Sequence, residues 1–326
     1  MKKRFFLSGI ILLMILSFSF PSWAVDQVTL RLDWVLMGKC SPFFVGVEKG
    51  YYKDAGIDLK ISEGKGSGST IQLIASGENP FGLASLANLA EAVAKGMPVK
   101  SVYAVTHDSG YAVLSLVETG IKNPKDLIGK TVGVSPAGAS RAVLPAFLKV
   151  NGIEFNQIKE VAFEGVGRMN ALLMKKVDSA IGPYYEYLPI LESKGVKVNT
   201  LKLAEWGLSL LGFGVVVNNK LIAENPDLIK RFLQATSRSL AYAMANQDEA
   251  IKAMSKDYIK PEPQIWAYDW KLVIETMDSK YMKGRPMGWQ PQEEWEQTRD
   301  FLGRYINKDI GQVPLDKFYT NDFISQ

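Results

Sequence analysis

The chain has 326 residues, a formal net charge of +4, one cysteine and one histidine. This length suits two domains of ordinary size, and a single cysteine excludes a disulfide within the chain. Nearly balanced charge without a basic stripe argues against nucleic acid as a partner, and one histidine with one cysteine argues against a transition-metal site.

The first 24 residues have the pattern of a cleavable secretory signal. Three basic residues at positions 2–4 precede an apolar run, and Ser22-Trp23-Ala24 supplies small residues at the positions that a signal peptidase reads. The run is short for a membrane span, and no stop-transfer pattern follows it. Its removal leaves 35 Lys and Arg against 34 Asp and Glu. We expect a periplasmic protein that begins near Val25 and has no lipid anchor, since Cys40 lies too far past the signal.

Predicted strands and helices alternate from Val28 onward, which is typical of parallel βαβ units. After Asn218 the pattern changes, because Glu224-Asn225-Pro226-Asp227 opens a long helix through about Asn246 and most of the remaining chain is predicted to be helical. We expect this tail to return to the first domain and cover it. The ten predicted strands are Val28 to Leu32, Asp58 to Ser62, Phe81 to Ala84, Val99 to Val105, Ala112 to Val117, Thr131 to Val134, Glu160 to Phe163, Ser179 to Ile181, Lys197 to Leu201 and Gly212 to Val217.

Two predicted helix starts follow strands and contain small polar residues. Gly64 to Thr70 leaves the second strand and enters a helix, so its amides and hydroxyls can point at a ligand oxygen, although helix capping alone also explains the serines. Pro136 to Ser140 makes the matching start in the second domain. The candidate ligand contacts at this edge are Ser67, Ser69, Ser85, Gly138 and Ser140.

Aromatic and acidic residues also follow predicted strands. Trp34 comes directly after the first strand, and Pro183 is predicted to be the first residue of a helix through about Gly195 that carries Tyr184, Tyr185 and Glu186. Trp34 and one of these tyrosines can stack on the two faces of a flat ligand, or they can pack into the core. Glu186 and Glu164 can accept hydrogen bonds from amino or ring N–H groups.

Charged candidates complete the predicted site. Lys39 and Arg168 can pair with an anionic substituent, although a lysine is more commonly solvated at the surface. His107 and Asp108 end the strand that begins at Val99. An isolated histidine is usually polar surface, although a strand-end position in the first domain favours a ligand contact. Cys40 as a nucleophile for His107 has no support in the spacing, and no hydrolase-type serine elbow occurs.

Three stretches together carry a specific resemblance to one group of proteins. They are Arg31-Leu32-Asp33-Trp34 followed by Pro42 to Leu59, Ser76 to Gly82, and Asp126 to Val134. These stretches closely resemble periplasmic binding proteins of the nitrate, sulfonate and thiamine-pyrimidine-precursor superfamily. The resemblance covers roughly residues 28–246 and weakens over the tail. Tyr184-Tyr185-Glu186-Tyr187, followed by Leu203 to Gly207, looks more like the pyrimidine-precursor branch than the sulfonate branch.

The resemblance implies an α/β fold of the two-lobed periplasmic binding protein type (type II). Each lobe would be a mixed, mostly parallel sheet flanked by helices, and two crossing segments near residues 112–117 and 212–217 would join the lobes. Residues 25–110 and 215–326 would form lobe 1, and residues 111–214 would form lobe 2. The family works as a non-catalytic receptor of an ABC importer, which closes over its ligand by a hinge and serves permease and ATPase subunits at the inner membrane. A monomer without cofactor or metal is expected.

The resemblance leaves three functions open. The first is capture of a small heteroaromatic solute, with a thiamine pyrimidine precursor or analogue as the best candidate. The second is a receptor for a sulfonate, taurine or another small anion, held by the serine-rich helix starts and Arg168. The third is an enzyme that makes the thiamine pyrimidine, but enzymes of that kind carry a cysteine-rich motif, and a single cysteine with an export signal argues against it.

Overall fold

In a computed structural model that describes residues 25–136, 139–163, 167–256 and 262–324, the strands form two separate five-stranded sheets. Every predicted strand has a counterpart whose ends differ by at most two residues. The strands are β1 (Asp26–Arg31), β2 (Ile57–Ser62), β3 (Phe81–Ser85), β4 (Val99–Ala104), β5 (Tyr111–Leu116), β6 (Thr131–Val134), β7 (Lys159–Ala162), β8 (Ser179–Pro183), β9 (Val198–Lys202) and β10 (Phe213–Asn218).

Each sheet is mixed but has four strands running in one direction. The first sheet has the order β2-β1-β3-β10-β4, and β10 is antiparallel to both of its neighbours. The second sheet has the order β7-β6-β8-β5-β9, and there β5 is the antiparallel strand. The predicted fold class, with two mostly parallel sheets flanked by helices, is confirmed.

Helices lie between the strands and fill the region after β10. The long helix α9 begins with Pro226 after Asn225, whose side chain accepts a hydrogen bond from the Leu228 amide. The α-helices are α1 (Ser41–Glu48), α2 (Tyr51–Asp54), α3 (Ser67–Ala75), α4 (Leu86–Ala94), α5 (Ala139–Val150), α6 (Gly167–Leu173), α7 (Tyr184–Ser193), α8 (Asn219–Glu224), α9 (Pro226–Ala245), α10 (Gln247–Ser255), α11 (Pro263–Ile274), α12 (Gln292–Tyr305) and α13 (Leu315–Phe318). No helix within the described ranges is both long and apolar enough to span a membrane.

The helical tail packs largely on the first sheet, as the sequence predicts. Phe232 of α9 stacks on Phe81 of β3 with ring centroids 4.0 Å apart, and both side chains are fully buried. An isolated bridge also joins Tyr319 to Ser101 of β4. Helix α11 is an exception, because it packs against α7 beside the second sheet and so connects the tail to both lobes.

Residues 105–110 and 203–212 carry the chain between the two sheets. The crossing segments hydrogen-bond to each other, from the Ser109 amide to the Leu210 carbonyl (3.0 Å) and from the Gly212 amide to the Thr106 carbonyl (3.2 Å). A Cβ on Gly212 would lie 2.0 Å from the Thr106 hydroxyl, so only glycine fits this contact. The crossings therefore precede β5 and β10, and each of these strands lies within one sheet.

The start of α7 differs slightly from the sequence prediction. Pro183 is the last residue of β8 and has an extended conformation, so the helix begins one residue later, at Tyr184. The proline ring fixes the φ angle at about the same value at the end of a strand and at the first position of a helix. The sequence therefore did not distinguish these two positions for Pro183.

Candidate functional site

A small cavity lies where the two sheets face each other, and both lobes contribute to its walls. Strand ends provide much of the lining. Ligands of open α/β sheets usually bind at such a place, outside the carboxyl ends of the strands. Asp33 and Trp34 follow β1, Ser135 follows β6, and Pro183 ends β8. The complete lining is Asp33, Trp34, Gly66, Ser67, Tyr111, Ser135, Arg168, Pro183, Glu186 and Phe213.

A buried lysine joins the two lobes beside this cavity. The Lys39 ammonium lies 3.0 Å from Asp33 Oδ2 and 2.6 Å from Glu186 Oε1, and 4.4 Å from the centroid of the Phe213 ring. Burial lowers the pKa of Lys39, but Asp33 and Glu186 outweigh this effect and hold that pKa well above its usual value. Lys39 is therefore charged, and its ion pair with Glu186 connects lobe 1 to α7 of lobe 2.

Two buried polar atoms in the wall have no hydrogen-bond partner within the described residues. They are Oδ1 of Asp33, an acceptor, and Nε of Arg168, a donor. Arg168 is held in place by hydrogen bonds from Nη1 to the Ser140 hydroxyl (3.1 Å) and to the Ile181 carbonyl (2.8 Å). Because unpaired buried polar atoms cost free energy, these atoms indicate a place where water or a ligand completes the hydrogen bonds.

The cavity is small in this conformation. Its water-accessible space is about 40 Å³, enough for a few water molecules but too small for an aromatic ring. A ring can enter only after the lobes or the wall side chains move. Two larger cavities, of about 340 and 390 Å³, lie beside His107. Their walls come from lobe 1, the tail and residues 209–211 rather than from the facing strand ends.

Several predicted site residues are brought together at the interlobe cavity. Trp34, Ser67, Arg168 and Glu186 line it. Lys39 and Ser140 lie behind the wall, where Lys39 contacts Glu186, and the Ser140 hydroxyl accepts hydrogen bonds from Arg168 and from the Ser135 amide. Ser85 is also behind the wall, and its amide donates to the Ser67 hydroxyl (3.0 Å).

Other predicted contacts lie away from this cavity. Ser69 donates its hydroxyl hydrogen to the Gly66 carbonyl (2.8 Å), which is a local contact at the start of α3 and not the side-chain helix cap that the sequence also allowed. The ring of Tyr184 faces Lys202, whose ammonium lies 4.5 Å from the ring centroid. Tyr185 is fully buried against Gly110, so neither tyrosine faces Trp34 across the cavity.

The only histidine is also separate from the interlobe cavity. His107 Nδ1 lies 2.7 Å from a carboxylate oxygen of Glu294, whose other oxygen accepts a hydrogen bond from the Ser279 hydroxyl. Asp108 accepts a hydrogen bond from the Gly110 amide (3.0 Å) in the first crossing segment. A ligand role for His107 or Asp108 stays a prediction that the cavity lining does not support. Gly138 and Glu164 lie outside the described residues.

The sequence prediction missed six of the ten wall residues, and four of the six had a readable signal. Ser135 directly follows β6 and Asp33 lies two residues after the end of β1, and both strands run toward the cavity. Tyr111 and Phe213 are the first residues of β5 and β10, the antiparallel strands. An antiparallel strand begins at the edge where its parallel neighbours end, so its first side chain reaches the same cavity.

Comparison with known proteins adds a family match and several full-length similarities. The family described as "NMT1/THI5 like" matches residues 38–250. The chain is 25% identical to the formylaminopyrimidine-binding protein of Halalkalibacterium halodurans, over 90% of each chain. It is 27% identical to the riboflavin-binding protein RibY of Chloroflexus aurantiacus, over 92% of this chain and 86% of the relative.

An enzyme and a solved receptor structure are also similar. The 4-amino-5-hydroxymethyl-2-methylpyrimidine phosphate synthase of Legionella pneumophila is 25% identical over 92% of each chain. The alkanesulfonate-binding protein SsuA of Xanthomonas axonopodis pv. citri superposes with a TM-score of 0.68 at 13% identity, covering 87% of this chain and 95% of the other. At that identity the structural similarity shows the fold alone.

Proposed function

We propose, from the premise that this chain belongs to the NMT1/THI5-like family, that it is the solute-binding receptor of an ABC importer. Its ligand is a small heteroaromatic molecule, with a thiamine pyrimidine precursor or a close analogue as the best candidate. The family match covers well over half of the chain, and relatives named for binding a formylaminopyrimidine and riboflavin match over nearly its whole length.

The observation that carries this proposal is the composition of the cavity wall. Trp34, Tyr111 and Phe213 supply aromatic surface, and two carboxylates, Asp33 and Glu186, lie among them. A buried carboxylate oxygen without a partner suits an amino or ring N–H donor, and aromatic walls suit a flat ring. An amino-substituted heteroaromatic ring satisfies both.

The cellular setting is part of the proposal. Sheets joined by two crossing segments suit hinge closure around a solute, and the superposed sulfonate receptor shares this fold. The basic and apolar pattern of residues 1–24 supports export to the periplasm, where the receptor meets permease and ATPase subunits at the inner membrane.

A sulfonate or another small anion is the second candidate, and it has its own supporting observation. Arg168 reaches the cavity with an unpaired Nε, close to Ser135, Ser140 and the start of α5. Guanidinium groups and helix starts are common anion sites. The two wall carboxylates oppose this candidate, because they repel an anion in the same cavity.

A synthase is the third candidate, and the described chemistry near the cavity gives it little support. Cys40 is fully buried, and burial raises the pKa of its thiol to about 12, so the thiolate nucleophile is scarce at neutral pH. The His107 ring is bound to Glu294 away from the cavity. We therefore propose binding without turnover.

Calorimetric titration of the mature protein with 4-amino-5-hydroxymethyl-2-methylpyrimidine and with taurine tests the proposal. We expect the pyrimidine to bind and to be recovered unchanged, and we expect Asp33→Asn and Glu186→Gln to weaken it. Glu118→Gln is the matched control, since Glu118 is an exposed carboxylate paired with Lys175. Taurine binding that is lost in Arg168→Met and improved in Glu186→Gln would establish the anion receptor instead. A converted pyrimidine would establish the enzyme.

A further inference from the structure

Lys39 contacts the cavity wall from behind. Its ammonium touches Asp33, Glu186 and Phe213, and all three of these residues line the cavity while Lys39 does not. Only 4% of Lys39 is exposed. A fixed positive charge therefore lies one residue layer from any ligand, in a position where it shapes the field inside the cavity without serving as a ligand contact.

The charges in and behind the wall balance only when Lys39 is counted. The lining contains two carboxylates, Asp33 and Glu186, and one cation, Arg168. With Lys39 the sum is zero, and without it the wall carries one uncompensated negative charge. Both carboxylates are at least nine-tenths buried, so solvent screens this charge weakly.

The other titratable groups that face Lys39 do not change this balance. Asp269 of α11 lies beneath it, with Oδ2 3.4 Å from the Lys39 amide, and burial raises the pKa of Asp269 well above its usual value. Burial also raises the pKa values of Tyr185, Tyr111 and Cys40. Burial therefore shifts each of these groups toward its neutral form, whereas Asp33 differs from them because its carboxylate pairs directly with the Lys39 ammonium.

We propose that Lys39 is a specificity-determining residue of the cleft, which neutralises one wall carboxylate and so makes the cavity select an uncharged solute over a cation of the same shape. This inference rests on the proposed function of the cleft as a binding site. It assigns the substrate class further, to heteroaromatic rings without net charge. A unit charge roughly 6 Å away at an effective dielectric of about 20 changes affinity by on the order of a hundredfold.

A series of three rings tests this selection by calorimetry. The probes are 4-amino-2-methylpyrimidines that carry hydroxymethyl (neutral), aminomethyl (cationic) or carboxylate (anionic) at position 5. We expect the wild type to prefer the hydroxymethyl compound. Lys39→Met should shift the ratio of affinities toward the aminomethyl compound by tenfold or more and should weaken the carboxylate compound, whereas Lys39→Arg should keep the wild-type order.

Lys49→Met is the control for loss of a lysine charge, because Lys49 is exposed and paired with Glu249 on the outer surface. Its ratios should match those of the wild type. The proposal would be overturned if, in Lys39→Met, the ratio of the affinities for the aminomethyl and hydroxymethyl compounds stayed within twofold of the wild-type ratio.

A second measurement needs no ligand, so it separates the failure of this inference from the failure of the proposed function. Carboxyl NMR titration of the ligand-free protein should show Asp33 titrating at higher pH in Lys39→Met than in the wild type, because the neighbouring cation that lowers its pKa is gone. Unchanged titration contradicts the role of Lys39 even if no pyrimidine binds. If Lys39→Met fails to fold by near-ultraviolet circular dichroism, Lys39→Gln is titrated in its place.

Discussion

Asp33 and Trp34 are neighbours in the segment that follows β1, and both line the interlobe cavity. Trp34 is partly exposed there, whereas Asp33 is buried and keeps one oxygen unpaired. One residue thus offers a flat apolar face, and its neighbour offers a hydrogen-bond acceptor. Burial raises the pKa of Asp33, and Lys39 opposes that shift. The ionised form of Asp33, which accepts hydrogen bonds with both oxygens, therefore depends on the adjacent lysine.

Replacing the indole of Trp34 tests its contact with the ligand. We expect Trp34→Ala to weaken binding of 4-amino-5-hydroxymethyl-2-methylpyrimidine by about 1–3 kcal/mol, because the ring loses aromatic burial. Calorimetric titration measures the change. Trp289→Ala is the control, since Trp289 stacks on Arg285 away from the cavity, and its affinity should equal that of the wild type. Unchanged affinity in Trp34→Ala would show that this indole packs without touching the ligand.

Asp269 gives the stability of the protein a defined dependence on pH. The side chain is fully buried, one of its oxygens is unpaired, and burial raises its pKa well above the usual 3.8. Between the usual and the raised pKa the folded state binds more protons than the unfolded state. The contribution of Asp269 to the free energy of unfolding is therefore full below the usual pKa and falls as pH rises toward the raised value.

Asp269→Asn removes this titration, so we expect its free energy of unfolding to fall less with rising pH than that of the wild type. Urea unfolding at a series of pH values from about 4 to 8 measures both slopes. Asp58→Asn, at an exposed position, should retain the wild-type slope. Parallel curves for Asp269→Asn and the wild type would mean that Asp269 stays ionised in the folded protein.

Helix starts decide much of the architecture at the level of elements. Helix α3 begins at Ser67, which lines the cavity, and the hydroxyl of Ser140 in the first turn of α5 orients Arg168. These polar residues hold the cavity wall in place, because the Ser67 hydroxyl accepts a hydrogen bond from the Ser85 amide and the Ser140 hydroxyl accepts one from the Ser135 amide. The long helix α9 begins far from the cavity, and its start has a purely structural role.

We expect loss of the α9 cap to destabilise the protein without changing ligand binding. Asn225→Ala removes the hydrogen bond from the Leu228 amide to the Asn225 side chain and should lower the free energy of unfolding by about 0.5–2 kcal/mol. Urea unfolding measures the loss, and Lys230→Ala on the exposed face of α9 should leave stability within about 0.5 kcal/mol of the wild type. If Asn225→Ala is as stable as Lys230→Ala, the hydrogen bond to Asn225 does not stabilise the protein, and tertiary packing alone determines where α9 starts.

At the level of the whole molecule, the two sheets are joined by crossing segments that hydrogen-bond to each other, and the Lys39–Glu186 ion pair bridges the lobes at the cavity. The crossings and the ion pair both lie beside the cavity, because Tyr111 and Phe213 directly follow the crossings and the Lys39 ammonium lies 4.4 Å from the centroid of the Phe213 ring. An aromatic solute does not fit the cavity of about 40 Å³, so binding requires at least a local opening and reclosure.

We expect ligand binding to shift molecules whose lobes are open to a closed, more compact state. Small-angle X-ray scattering of the mature chain should show a smaller radius of gyration with 4-amino-5-hydroxymethyl-2-methylpyrimidine than without it, since ligand contacts to both lobes favour the closed state. Trp34→Ala at the same ligand concentration should show a smaller change. An identical radius with and without bound ligand would show that only wall side chains move.

The sequence by itself determined the order and type of the elements. Short apolar runs bounded by turn residues located all ten strands to within two residues, because burial of strand side chains leaves a local signal that needs no tertiary information. The position directly after a strand identified Trp34, and the polar helix starts identified Ser67 and Ser140, for the same reason.

Only the tertiary structure decided which of these side chains meet. Strand direction put Tyr111 and Phe213 into the cavity, and rotation of α7 turned Glu186 toward it while Tyr184 and Tyr185 face elsewhere. Lys39 is paired with a carboxylate 147 positions away in the chain. Such contacts depend on how two lobes dock, and docking is set by the sum of packing and charge across the whole interface, which no local pattern records.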